Sequence, residues 1–252
     1  MSNPEAKFNG LADSYERTRP RYPVTLFEHA VTLLPRTGRP AVVDAGAGTG
    51  IALEALLPLL PADAIVHAVD ISDDMIRIGR DKFPQVAWYQ GTAEAYLGSL
   101  SSVDLVVAAQ AYQWMDRPAY VDSVARCLSP GGVCMVVQNN RNHGIAGFAA
   151  DYEDLLEKLS PGYSRSYRAI DVAEELGARF GRVEQRVTEW HQRLTIEDFS
   201  TMSSSSTQAQ RAIAAVGPLF LDRVRELCER YADAGHVNVP YIAEAFYGIA
   251  SR

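Results

Sequence analysis

Short β-branched and apolar runs alternate with longer amphipathic stretches along the first half of the chain. Five of these runs predict strands, at 40–46, 64–72, 85–91, 103–112 and 133–140. The stretches between them have apolar residues at helical spacing, and the connections are short. The run at 103–112 is apolar throughout, which is typical of a parallel strand covered on both faces. This alternation predicts an α/β fold built on a doubly wound, mostly parallel sheet.

The alternation weakens in the second half of the chain. Residues 145–159 and 208–234 have the spacing of helices, whereas 182–194 alternates as a strand does. Residues 237–250 predict a last strand. Within it, Pro240 favours an edge position or a bulge, because proline has no N–H to donate to a neighbouring strand.

The length of the chain predicts a single domain over residues 1–252. Within it, we expect residues 1–38 to form a helical lid and residues 145–235 to supply cap elements over the sheet. The stretch at 200–210, STMSSSSTQAQ, has the composition of a flexible polar linker.

Charge and composition exclude several kinds of partner. The formal net charge is −7, and 47% of the residues are hydrophobic. An acidic chain lacks the basic face that nucleic acids and anionic membranes require. No apolar run approaches the ~20 residues of a membrane-spanning helix, and the opening MSNPEAKFNG lacks the regions of a signal peptide. We therefore expect a cytoplasmic protein without a nucleic-acid or membrane partner, and its oligomeric state is left open.

The cysteines and histidines do not have the spacing of a metal site. Cys127, Cys134 and Cys228 do not pair at ligand spacing, and the five histidines form no HxxxH or HxH pair. The neighbours of the cysteines are apolar, which predicts buried free thiols. No metal is expected.

A glycine-rich turn follows the first predicted strand. The sequence VVDAGAGTG places Gly46, Gly48 and Gly50 at the junction with a helix, where glycine lets the backbone turn tightly and approach a ligand. Asp70 ends the next strand about 20 residues later, the position from which a carboxylate accepts both hydroxyls of a ribose. No GxxxxGK[ST] motif is present. The combination predicts nucleotide binding without a P-loop.

Five motifs together extend this prediction. VVDAGAGTG, VHAVDIS, GTAEAY, VDLVVAAQAYQWMD and CLSPGGV are spaced as in the class I S-adenosylmethionine-dependent methyltransferases, and the resemblance covers about residues 8–140. It implies a Rossmann-like sheet of seven strands with a reversed last hairpin. It also implies S-adenosylmethionine as the cofactor or substrate.

The resemblance implies a role for individual positions. Gly46 and Gly48 face the methionine part of the cofactor, and Asp70 faces the ribose. Ile71 and Met75 contact the faces of the adenine. Thr92 and Ala93 contact its edge. Asp44 and Gln110 complete the cofactor-binding positions. Relatives usually have an aspartate where Thr92 stands, so the adenine amine is expected to bond to a backbone carbonyl or to the Thr92 hydroxyl.

The amino-terminal FNGLADSYERTRPRYP resembles the trans-aconitate methyltransferase-like subgroup of this family. In that subgroup the segment folds over the cofactor, and a tyrosine and an arginine approach the sulfonium and the carboxylate. These positions correspond to Tyr15 and Arg19, with Tyr22 nearby. A tyrosine face attracts a cation by ~1–2 kcal/mol when desolvated. Packing of Tyr15 in the core of an amphipathic helix is the alternative.

The candidate site is poor in acid–base groups. Many relatives in the subgroup have a histidine where this chain has Gln113, and glutamine is not a base at neutral pH. Asp116 is expected to cap the following helix. His143 is the one histidine expected near the site. The other candidates are aromatic or neutral and polar.

Asn139 and Asn140 follow a central strand, at the sheet edge where open α/β sheets bind ligands. A pocket with Asn139 and Ser203 but without a base resembles the azetidine-2-carboxylate synthases. In that group the α-amine of S-adenosylmethionine attacks its own γ-carbon and 5′-methylthioadenosine leaves. The resemblance implies that Tyr15, Tyr22 and Tyr112 hold the sulfonium while Asn139 and Ser203 hold the amine and carboxylate. Turn formation is the alternative for the two asparagines.

Three other functions fit the same motifs. A methyltransferase with a small-molecule acceptor would use residues 145–250 as the acceptor cap. A lyase would open the same cofactor to homoserine lactone, and a non-catalytic S-adenosylmethionine-binding module would serve a partner protein. Fold alone does not distinguish these.

Overall fold

The computed structural model describes residues 16–35 and 38–251. Its centre is a seven-stranded sheet with the order β3-β2-β1-β4-β5-β7-β6. The strands are β1 Ala41–Ala45, β2 Ile65–Asp70, β3 Ala87–Gln90, β4 Val103–Ala109, β5 Leu128–Arg141, β6 Arg182–Thr195 and β7 His236–Ile249. The helices are α1 Val24–Leu33, α2 Ile51–Leu56, α3 Asp73–Lys82, α4 Ala93–Gly98, α5 Arg117–Cys127, α6 Phe148–Leu159, α7 Val172–Gly177, α8 Ile196–Ser204, α9 Thr207–Val216 and α10 Leu219–Tyr231.

Six of the seven strands run in one direction. β1 to β5 pair in parallel, and β7 is antiparallel to both of its neighbours, β5 and β6. The mostly parallel α/β sheet with a reversed hairpin is therefore confirmed. Because the carboxyl ends of β1, β2, β4 and β5 meet at one edge, the turns that follow these strands lie together.

Each face of the sheet has its own apolar layer, and a third lies under the later helices. Alternate residues of β5 divide between the faces, so that Met135 and Val137 pack with α1 and α2, whereas Cys134 and Val136 pack with α5 and α7. The third layer joins α6 and α8–α10 to the ends of β6 and β7. These helices lie in the region predicted to supply the cap.

Pro240 does not lie in an edge strand, which corrects the prediction for it. β7 pairs with a strand on each side. The pairing with β5 ends at Tyr241, and the Pro240 carbonyl accepts from the backbone N–H of Asn142 just beyond β5. The nitrogen of an extended residue points to the same side as its carbonyl. The missing N–H therefore falls where β5 has already ended, and it costs the sheet no ladder bond.

Three element boundaries, two of helices and one of a strand, differ from the sequence pattern. The helix predicted at 208–234 is two helices, α9 and α10, because Gly217 has φ +63° and Pro218 follows it. The serine-rich stretch predicted as a linker begins inside α8, where Ser200 and Ser203 are buried. β4 ends at Ala109, three residues earlier than predicted, because Gln110 has a left-handed φ of +53°.

Two further observations concern the whole described chain. The three cysteines are free and buried, as their apolar neighbours predict. Within residues 16–35 and 38–251, no helix combines the length and the apolar character needed to cross a membrane.

Candidate functional site

The turn between β1 and α2 is built on glycines for two different reasons. Gly46 has φ +71°, and a Cβ there would lie 2.5 Å from the Cβ of Ala111. Gly48 has φ +56°, and a Cβ there would meet nothing within 4 Å. Gly46 is therefore needed for a close approach of two loops. Gly48 is needed for its left-handed backbone and faces open space.

Asp70 joins the end of β2 to this turn. Its Oδ2 accepts from the backbone N–H of Gly48 at 2.8 Å, and its Oδ1 accepts from the N–H of Ser72 at 2.9 Å. Burial raises the pKa of Asp70, and the backbone N–H groups act in the opposite direction. The carboxylate is thus oriented by the protein backbone, and each oxygen keeps a further lone pair.

Among the acids near the turn, Asp44 has the pKa that departs furthest from its ordinary value. It is fully buried, and within the described part of the chain neither of its carboxylate oxygens has a hydrogen-bond partner. Burial, and secondly the charge of Asp70, raise the pKa of Asp44 to about 7. Asp44 was predicted to contact the cofactor, but it does not line the cavity described next. It lies in the middle of the sheet, since it pairs with β2 and β4.

A cavity of about 1110 Å³ opens at this edge of the sheet. Ligand pockets commonly span ~300–1,000 Å³, so the cavity is larger than a single small ligand needs. It brings together most of the predicted site residues, namely Arg19, Tyr22, Gly46, Gly48, Asp70, Ile71, Met75, Thr92, Ala93, Gln110 and Asn139.

Two polar side chains at the cavity cap helices. Thr92 Oγ1 accepts from the N–H of Ala95 at the start of α4. Asp116 Oδ1 accepts from the N–H of Ala119 at the start of α5, which confirms the predicted cap. The Thr92 hydroxyl keeps its own hydrogen to donate. Its oxygen serves the helix, so Thr92 is less able than an aspartate to accept from an adenine amine.

Asn139 is held at both ends of its amide. Its Nδ2 donates to the carbonyl oxygen of Arg21 at 3.1 Å, and its Oδ1 accepts from Trp190 Nε1 at 3.0 Å. The side chain is only 4% exposed. Asn139 therefore ties the amino-terminal segment to β6. The partners lie 118 and 51 residues away, so no local pattern predicts them.

Three predicted catalytic residues do not reach the cavity or cannot be placed. Tyr15 lies outside the described residues. Tyr112 is buried against the ring of Tyr120, and its hydroxyl donates to Glu175 Oε2 at 2.5 Å. The left-handed turn at Gln110 directs the chain so that Tyr112 enters the layer between sheet and helices. Ser203 is buried in α8, and its hydroxyl is hydrogen-bonded to that of Tyr152 at 2.6 Å.

Sequence patterns did not reveal a buried ion pair at the end of β5. Arg141 lies 2.7 Å from Glu153 of α6, and the hydroxyl of Tyr163 donates to the same carboxylate. The guanidinium lies 4.7 Å from the ring of Tyr152. Burial opposes ionisation of both partners, but the attraction between them raises the pKa of Arg141 and lowers that of Glu153. Arg141, Glu153, Tyr163 and His143 all line the cavity.

Among the residues that the structure describes, no group of three or more His, Cys, Asp or Glu side chains is arranged to hold a metal ion.

Known proteins share both the sequence and the fold. A family model described as "Methyltransferase domain" matches residues 42–132. An uncharacterised methyltransferase of Mycobacterium tuberculosis is 30% identical over 238 residues, which cover 93% of this chain and 92% of that protein. The chain belongs to the class I S-adenosylmethionine-dependent methyltransferase family. This methyltransferase-family protein is accordingly an S-adenosylmethionine-dependent enzyme.

Two further comparisons concern part of the sequence and the fold. Trans-aconitate 2-methyltransferase of Azoarcus sp. is 34% identical over 111 residues, 44% of this chain and 43% of that enzyme. A solved structure from Anaeromyxobacter dehalogenans, provisionally assigned as a type II methyltransferase, has a TM-score of 0.72 at 22% identity. It covers 93% of this chain and 99% of that one, and it shows the common fold.

We predict that Gly48→Ala separates ligand binding from folding. The left-handed φ at this position costs an alanine about 1–2 kcal/mol, which lowers the melting temperature by about 2–8 °C in a chain of this size. The methyl group would also project into the cavity and weaken S-adenosylhomocysteine binding by at least ~10-fold. Calorimetric titration measures the second effect.

The matched control is Gly38→Ala. Gly38 has φ +46°, a Cβ there would meet nothing within 4 Å, and the residue has no part in the cavity lining. The variant should lose similar stability and keep the parental affinity. Equal affinity for S-adenosylhomocysteine in both variants would contradict the placement of the ligand at Gly48.

Proposed function

We propose that this enzyme transfers the methyl group of S-adenosylmethionine to a small-molecule acceptor. The observation that carries the proposal is one continuous cavity, which extends from the glycine turn and Asp70 to Asn140 and Arg141 at the end of β5 and to Glu153 of α6. Its volume of about 1110 Å³ leaves room for a second molecule beside the cofactor.

In this proposal the cofactor lies over the ends of β1 and β2. The backbone of Gly46 and Gly48 lies along its methionine part, and Asp70 accepts hydrogen bonds from its ribose. Ile71 and Met75 contact the adenine faces, while Thr92 and Ala93 lie at its edge. Arg19 and Tyr22 line the same cavity from the amino-terminal side, which supports their assignment to the carboxylate and the sulfonium.

The acceptor half of the cavity is the part lined by Arg141, His143, Glu153 and Tyr163. Its one carboxylate offers little general-base catalysis. The Glu153 carboxylate is bonded to Arg141 and Tyr163, so it is already committed as an ion-pair partner. Gln113 stands where a base is common in the subgroup. An acceptor atom that is already deprotonated, such as a carboxylate oxygen, needs no base. The relative named for trans-aconitate supports an acceptor of this kind.

Intramolecular cyclisation to azetidine-2-carboxylate is the second candidate. The neutral α-amine would attack the γ-carbon, the C–S bond would break, and its electrons would leave with 5′-methylthioadenosine. The fixed amide of Asn139 in the cavity favours this reaction, since it is chiefly a problem of orientation. The bond between Ser203 and Tyr152, outside the cavity lining, counts against the implied role of Ser203.

One product analysis tests both candidates. We expect S-adenosylmethionine alone to persist, and S-adenosylhomocysteine to form when small carboxylic acids, beginning with trans-aconitate, are supplied as probes. Mass spectrometry identifies the products, and heat-inactivated enzyme gives the background of spontaneous decay. Stoichiometric 5′-methylthioadenosine and a four-carbon cyclic imino acid without any acceptor would reject methyl transfer in favour of cyclisation. Unchanged cofactor under every condition would reject both reactions.

A further inference from the structure

Four charged side chains form a closed ring in which the signs alternate. We call Glu16, Arg21, Glu54 and Lys82 the ion ring. The guanidinium of Arg21 lies 2.6 Å from the carboxylate of Glu16 and 2.8 Å from that of Glu54. The ammonium of Lys82 lies 2.7 Å from each of the same two carboxylates. Each acid therefore contacts both bases, and the ring is formally neutral.

The ion ring joins three parts of the chain that border the cavity. Two of its members belong to residues 16–22, which also supply Arg19 and Tyr22 to the cavity wall. Glu54 belongs to α2, which follows the glycine turn, and Lys82 ends α3, which follows β2. The ring thus fixes residues 16–22 to the two helices whose preceding turns form the proposed cofactor site.

Side chains hold residues 16–22 in place. Within the described residues, no hydrogen bond between backbone groups joins this segment to a strand or to another helix. Arg21 organises the segment from inside, since its Nη1 donates to the carbonyl oxygens of Glu16 at 2.8 Å and Arg19 at 3.0 Å. The same guanidinium reaches Glu54. The position of the backbone at Arg19 is therefore linked to the ion ring.

Burial and connectivity distinguish the ion ring from an ordinary surface ion pair. The side chains of Lys82 and Glu16 are 23% and 19% exposed, so solvent and salt screen their attraction only in part. Single exposed pairs contribute little, whereas several charges in one network contribute more. Arg77 and Asp81 of the same helix form a single exposed pair at 3.9 Å. Without Lys82, the carboxylates of Glu16 and Glu54 would share one base and repel each other.

We propose that the ion ring positions Arg19 in the cavity and thereby controls the affinity for the cofactor. The inference rests on the proposed place of S-adenosylmethionine, in which Arg19 faces the carboxylate of the methionine part. None of the four ring residues lines the cavity. They are positioning residues, and their effect on the ligand is transmitted by the segment that carries Arg19.

A double-mutant cycle between Lys82 and Arg19 tests the proposal by binding alone, without turnover. The parent, Lys82→Met, Arg19→Met and the double variant are titrated calorimetrically with S-adenosylhomocysteine. We expect Lys82→Met to weaken binding by about 10-fold when Arg19 is present. In the Arg19→Met background the same substitution should change the affinity by less than about twofold, because the residue through which Lys82 acts is already gone.

Three further variants and a second ligand serve as controls. Arg77→Met removes a base from the same helix but not from the ion ring, and it should keep the parental affinity. Lys82→Arg keeps the charge and should restore most of the affinity. Glu54→Gln opens the ring from α2 and serves where Lys82→Met does not fold. All of these proteins should bind 5′-methylthioadenosine as the parent does, since that nucleoside lacks the carboxylate assigned to Arg19.

Three outcomes contradict the positioning role. Equal weakening by Lys82→Met with and without Arg19 shows a general structural effect and overturns the proposal. Parental affinity in both Lys82→Met and Glu54→Gln overturns it as well, and so does parental affinity in Arg19→Met. In each case the parent still binds S-adenosylhomocysteine, so the proposed methyl transfer survives. A parent that binds no S-adenosylhomocysteine overturns the proposed function and the role of the ion ring together.

Discussion

Replacement of Asp70 by alanine is expected to weaken S-adenosylhomocysteine binding by about 100-fold or more. The proposed ribose contacts are two hydrogen bonds to a charged acceptor, each worth about 1.5–3 kcal/mol, and about 3 kcal/mol corresponds to roughly two orders of magnitude in Kd. The Asp70 oxygens are already aligned by the N–H groups of Gly48 and Ser72, so little ordering is needed when the ribose binds. Calorimetric titration gives the affinity directly.

Asp73→Ala is the matched control for that experiment. Asp73 is an exposed carboxylate in the first turn of α3, three residues from Asp70, and it does not line the cavity. Removal of the Asp73 carboxylate should leave the affinity for S-adenosylhomocysteine within about twofold of the parental value. Asp70→Ala protein that is folded and binds S-adenosylhomocysteine as tightly as the parent would refute the ribose assignment.

The unliganded protein is expected to lose stability as the pH rises from 5 to 8, because of Asp44. Its pKa of about 7 in the folded protein exceeds the ordinary value of 3.8, so between these values the folded state binds more protons than the unfolded state. The free energy of unfolding therefore falls with rising pH across this window and levels off above it. The contribution is on the order of 4 kcal/mol, since each pKa unit corresponds to about 1.36 kcal/mol.

Denaturant unfolding at several pH values measures the slope of the free energy of unfolding against pH. Asp44→Asn removes the titrating group and should flatten the dependence between pH 5 and 7. Asp104→Asn is the control, because Asp104 is also a buried strand carboxylate but accepts from Ala41 N and Ser129 Oγ. Its variant should be less stable yet keep the parental slope. If the slope of Asp44→Asn equals that of the parent, the charge of Asp44 is not the cause.

The part of the cavity that we assign to the cofactor is predictable from sequence, because its determinants are local. Gly46 and Gly48 stand within one turn, and the requirement for a positive φ at each is a property of the backbone there. Asp70 follows from the spacing of two strand–turn units. For the same reason the alternation of strands and helices through residue 140 predicts the sheet well.

The acceptor end depends on contacts between distant segments, which no periodicity reveals. Asn139 bonds to Arg21 and Trp190, and Arg141 to Glu153, across separations that only the folded chain brings together. Tyr112 was misplaced because its strand ends early, at a left-handed glutamine that β-propensity does not predict. Ser203 was misplaced because the serine-rich composition conceals the amphipathic helix α8.

The position of β7 has a consequence for how the chain acquires its structure on the ribosome. In the part of the chain that the structure describes, β6 pairs only with β7, and β7 is the last strand in chain order. β6 must therefore wait, unpaired, until residues 236–249 have been synthesised, although β1 to β5 can already associate. The outer edge of β5, which carries Gln138 and Asn139, stays open for the same interval. Such exposed edges are where nascent chains mispair. A chaperone that shields this edge would act at the place that β7 covers in the finished protein.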